Sequence, residues 1–104
     1  SYMNNCEDIF KFFIRLIDLE PILLSRINNS KREIFYENGS LIFGLSGLYN
    51  IYDPNQLTSF KSFKKKLYSS GLNERLAPLG YKISIYKSTG KIETSLYMLQ
   101  PLTT

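Results

Sequence analysis

Asn38-Gly39 stands between two apolar runs, and this dipeptide constrains the chain more than any other feature. A two-residue connection between antiparallel strands needs positive φ at both positions, which asparagine tolerates and glycine adopts freely. Residues 32–37 before it and 40–44 after it are therefore expected to pair as a β-hairpin.

The flanking segments read as helices. Asn5 is placed to cap a first helix over 5–19, with Asp8 near the positive end of its dipole. Ile9, Phe10, Phe12, Phe13, Ile14, Leu16, Ile17 and Leu19 cover more than one face of that helix. Pro21 suits the first turn of a second helix, whose buried stripe would be Ile22, Leu23, Leu24 and Ile27. Ser46 is expected to cap a short helix over 47–52. Asp53-Pro54-Asn55-Gln56 reads as a helix start, with Asp53 as the cap and Gln56 reaching back, and the helix then runs over 54–69 to Gly71. Asn73 would cap a short helix ending at Gly80. A second hairpin follows: Tyr81, Ile83 and Ile85 alternate with polar residues, the turn falls in Ser88-Thr89-Gly90, and the return strand covers 91–99 before Pro101. The order is α-α-β-β-α-α-α-β-β, the pattern of a small α+β domain, and it excludes a parallel-sheet nucleotide fold.

At 104 residues with 43% apolar side chains, the chain suits one domain over 1–104 with one core. Ser1-Tyr2 ahead of Met3 reads as a tag remnant, with Met3 the expected start. The polar, acidic opening does not resemble a signal peptide, and the expected location is the cytoplasm. No apolar run reaches the roughly 18–20 residues that span a bilayer. Cys6 is alone and there is no His, so no internal disulfide, imidazole base or transition-metal site is expected, and no cofactor either. Asp53, Glu74 and Glu93 are dispersed, without the spacing of a catalytic carboxylate pair. The expectation is a protein without enzymatic activity.

Charge is unevenly distributed. Residues 1–53 carry five basic and seven acidic side chains, whereas 54–104 carry eight basic and two acidic, giving nets of −2 and +6 within a total of +4. Such asymmetry points to a polyanion facing the C-terminal half. At about 100° per residue, the helix 54–69 gathers Leu57, Phe60, Phe63, Leu67 and Tyr68 on one face. Thr58, Ser62, Lys65, Lys66 and Ser69 lie opposite, with Lys61 on the flank and Lys64 near the apolar edge. Short hydroxyl and cationic groups without an acidic neighbour can approach a phosphate backbone.

A helix, a turn, a helix with a basic outer face and then a hairpin tipped by Lys87-Ser88-Thr89-Gly90-Lys91 resembles the winged-helix family of DNA-binding domains over about residues 33–99. The resemblance implies that the helix before the hairpin enters the major groove and that the hairpin loop touches the adjacent backbone. By that resemblance Lys61, Ser62, Lys65, Lys66 and Ser69 would be groove-side, and Lys87 and Lys91 wing-side. The chain departs from the family in the extra helical turn over 73–79 and in a short wing without Arg. Lys gives a point charge and not a bidentate fork, so the partner would be double-stranded DNA held mainly by its backbone.

A second reading takes the broad apolar face of the helix 5–19 as the surface for a homodimer or protein partner, through Ile9, Phe12, Phe13 and Leu16, with no role in nucleic-acid binding. Tyr81, Tyr86 and Tyr97 are sheet aromatics of the kind that can stack on bases, though a core role for Tyr81 and cross-strand pairing for the others is the simpler assignment.

Overall fold

The computed structural model describes residues 5–102, with side chains described from Asp8 onward. The expected cap by the Asn5 side chain, the Cys6 thiol and the start at Met3 lie outside the described side chains. The elements are α1 (Asn5–Ile17), α2 (Pro21–Asn28), β1 (Ile34–Glu37), β2 (Ser40–Gly44), α3 (Leu45–Tyr52), α4 (Phe60–Ser69), α5 (Leu72–Leu76), a 3₁₀ turn (Ala77–Leu79), β3 (Tyr81–Lys87) and β4 (Leu96–Pro101). This is the α+β order read from the sequence.

The four strands form one antiparallel sheet in the order β1-β2-β4-β3. The first hairpin closes on Asn38 and Gly39 at φ 53° and 82°, with Glu37 opposite Ser40. The last strand thus inserts beside β2 and joins the two hairpins into one surface. Ile34, Leu41, Phe43 and Leu99 project from one face of this sheet into the core, and the helices cover them.

Helix α1 lies deep in that core. Ile9, Phe12, Phe13 and Leu16 are each at most 4% exposed. Phe12 meets Tyr52 of α3 at 5.1 Å between ring centroids, and Phe13 meets Phe43 of β2 at 6.3 Å. The breadth of the apolar face, expected to serve a second chain, is used within this one: α1 has α3 and α4 on one side and the sheet on the other. These four side chains are therefore not available as a dimer surface. In α2 only Leu23 and Ile27 are buried, and Ile22 is exposed because its Cα points about 100° away from the stripe.

Two helix starts differ from expectation. Gly44, not Ser46, precedes α3, and the Ser46 hydroxyl instead accepts from Arg32 at 3.0 Å. Asp53 does not start a helix at Pro54. It ends α3, and its carboxylate accepts from the backbone N–H groups of Leu57 and Thr58 at 3.0 and 2.8 Å and from the Thr58 hydroxyl. The side chain thereby organises a loop over 53–59 and postpones the next helix to Phe60. Leu57, expected on a buried helical face, is exposed in that loop.

The second hairpin is also longer in its loop than expected. β4 begins at Leu96, because Lys91 O accepts from Thr94 N, Ser95 N and the Ser95 hydroxyl, and that turn occupies residues assigned to the return strand. A bulge between Ile85 and Lys87 accompanies the change. Asn73 sits inside α5 and not at its cap, with its amide turned to the free edge of β3.

Candidate nucleic-acid interface

Helix α4 begins where the Ser59 hydroxyl accepts from Ser62 N at 3.1 Å. Its inner face is anchored by Phe63, fully buried against Tyr49 and Tyr52 at 5.4 and 5.3 Å, with Phe60 and Leu67 beside it. That packing fixes the rotation of the helix. Lys61, Ser62, Lys65 and Ser69 are consequently the exposed outer residues, as the periodicity predicted.

The remaining lysines of the helix leave that face in opposite directions. Lys66 turns to one flank, its ammonium 5.8 Å from the Tyr52 ring centroid and its charge helping to hold Asp53 ionised. It belongs to a polar cleft on the α1 side, where the Tyr52 hydroxyl donates to Asp8. Burial, followed by this carboxylate, pushes the Tyr52 phenol well above its usual range. Tyr68, expected on the buried face, lies 56% exposed on the other flank.

Lys64 shares that second flank and connects the helix to the hairpin loop. Its ammonium lies over the Phe60 ring at 5.0 Å and pairs with Glu93 at 2.7 Å. The bond to Lys64 holds the Glu93 carboxyl below its ordinary value, and the charge of Lys91 adds to the effect. Tyr68 lines a cleft with Tyr97, whose hydroxyl donates to Ile92 O at 3.1 Å. Helix, strand and loop are thus tied through side chains of three distant segments. The structure brings Lys61, Ser62, Lys65 and Ser69 to one face and places Lys91 next to the Lys64–Glu93 pair. It leaves Lys87 exposed at the end of β3 and directs Lys66 elsewhere.

The sequence reading left Lys64 and Glu93 out of the site. Lys64 was legible as a cation at the apolar edge, but its partner lies 29 positions away and no local spacing points to it. The outer hydroxyls are also less free than their positions imply: Ser62 bonds Ser59 and Ser69 donates back to Lys65 O at 2.8 Å. Chemically the face offers cations and committed hydroxyls, which suits backbone contact better than base reading. Among the described residues no group of His, Cys, Asp and Glu could hold a metal, and no helix is long and apolar enough to cross a membrane.

Compared with known proteins, the chain matches no family model, no curated protein and no solved structure.

Proposed function

We propose that this protein is a non-enzymatic nucleic-acid-binding module that engages a phosphate backbone through the outer face of α4 and the loop between β3 and β4. The observation that carries this reading is the exposed outer face of α4, where Lys61 and Lys65 stand without an acidic side chain on the helix. The succession of α4, α5 and a hairpin whose last strand pairs with β2 supports the winged-helix resemblance. Lys61 and Lys65 would supply affinity by releasing condensed counterions, with Lys91 a second contact from the loop.

The test is binding of a labelled DNA duplex at increasing salt. Affinity is expected to fall linearly on logarithmic axes, and Lys61→Glu with Lys65→Glu is expected to abolish it with unchanged folding. Binding that survives this double charge reversal would overturn the proposal.

A second reading, contact with a protein partner, now rests on different residues from those of α1. Leu19, Ile22 and Phe35 are exposed, and Leu19 and Phe35 line a mainly apolar groove of about 400 Å³ between α1, α2 and the first hairpin. Light scattering at high protein concentration tests self-association there; a monomer excludes the homodimer.

A further inference from the structure

Beside the basic face of α4 lies a cleft of about 270 Å³ between the helices α4 and α5 and the sheet. Phe43, Leu67, Tyr68, Leu72 and Tyr97 form its apolar walls, and Glu74 stands at its rim. Tyr68 is on α4 itself, one turn beyond Lys64 and three residues beyond Lys65, and more than half of its surface faces solvent. Tyr97 is fixed from behind by stacking on Phe43 at 5.9 Å. The cleft therefore combines an exposed aromatic ring and an apolar floor, and Lys64 and Lys65 stand within one helical turn of Tyr68 on α4.

We infer that this cleft receives an unpaired base of a nucleic-acid strand, stacked on Tyr68, while the flanking lysines hold the phosphates on either side of it. The inference rests on the nucleic-acid reading above and specifies its substrate: a single strand, in preference to a closed duplex. A phosphate backbone alone satisfies the lysines equally in either form, but a base still paired and stacked within a helix has no free face to lay against the Tyr68 ring. Of the two carboxylates nearby, Glu93 is neutralised by Lys64, and Glu74 is left to accept from a base amino group.

The experiment compares a labelled twelve-nucleotide single strand with the duplex of the same sequence by fluorescence anisotropy at low salt. The single strand is expected to bind at least tenfold more tightly. Tyr68→Ala is expected to weaken the single strand about fivefold or more, the lower end of the range for removing one stacking ring. Tyr68→Phe is expected to restore it and neither change to alter duplex binding. Equal affinity for both forms, unaffected by Tyr68→Ala but lost in Lys61→Glu with Lys65→Glu, would overturn the inference and leave the backbone reading standing. Failure of both forms to bind would overturn both. Displacement of the strand by micromolar mononucleotide would make the cleft a nucleotide site and also overturn the inference.

Discussion

Asn73 grips both backbone polar groups of Ile83: its amide nitrogen donates to the Ile83 carbonyl at 3.0 Å, and its amide oxygen accepts from the Ile83 N–H at 2.7 Å. Strand β3 is at the edge of the sheet, where unpaired N–H and C=O groups invite another chain. The side chain supplies what a fifth strand would supply, and it docks α5 against the sheet. Asn73→Ala is expected to lower stability by about 1–2 kcal/mol for two lost hydrogen bonds. Urea denaturation measures this, and a change within error would show that solvent replaces the amide without loss.

Asp53 leads to a prediction about pH. Thr58 N–H holds its carboxyl below the ordinary value, helped by Leu57 N–H, the Thr58 hydroxyl and the charge of Lys66. A depressed folded-state value means that the carboxylate contributes stability above its unfolded value, about 3.9, and that this contribution is lost as pH falls through the lower folded value. Asp53→Ala should therefore be less stable than the parent at pH 7, and the gap should narrow below about pH 3.9. A gap that stays constant to pH 2.5 would show that the loop does not depend on the charge.

Gly47 sets helix propensity against packing. Alanine within a helix is ordinarily favoured over glycine by about 1 kcal/mol. At Gly47 a Cβ would come within 2.6 Å of the Glu33 carbonyl oxygen, which is already held by Gly44 N at 2.8 Å. Backbone on that side cannot swing away as a flexible side chain would. Gly47→Ala is expected to destabilise by about 1–3 kcal/mol, the usual range for overpacking. A rise in thermal midpoint would refute the close approach of α3 to the segment before β1.

Phe12 distinguishes the interior role of α1 from an interface role. Phe12→Glu places a carboxylate among Phe13, Tyr52 and the rest of the core, at an expected loss of more than about 4 kcal/mol. Circular dichroism should show an unfolded chain. A well-folded monomer from this variant would restore the dimer reading.

Glu93 restrains the proposed binding face. Its pair with Lys64 is largely exposed, so Glu93→Gln should alter stability by less than about 1 kcal/mol. The same change frees Lys64 and removes a negative charge beside Lys91. Affinity for a nucleic-acid strand at low salt is expected to rise severalfold, with a steeper salt dependence. Weaker binding would mean that Glu93 positions the loop and that this role outweighs its charge.

Much of the architecture was legible from local chemistry. Asn38-Gly39 determined the first hairpin, Pro21 the first turn of α2, and Gly71 and Gly80 the ends of the helices before β3, because each requirement is met within a few residues. The outer face of α4 was legible for the same reason, since periodicity alone places Lys61 and Lys65 opposite Phe63. Tertiary structure decided what depended on distant partners. Asp53 had the composition of a helix cap, but its carboxylate met backbone N–H groups farther on and made a loop. The apolar breadth of α1 was equally compatible with a second chain or with this one, and only the placement of Phe43 and Tyr52 around it selected the latter. Lys64 became a link to the hairpin loop, and Tyr68 a wall of a cleft, through Glu93 and Tyr97, residues that no local pattern connects to them. Side-chain periodicity specifies a direction from the helix axis; what stands in that direction is set by how the whole chain packs.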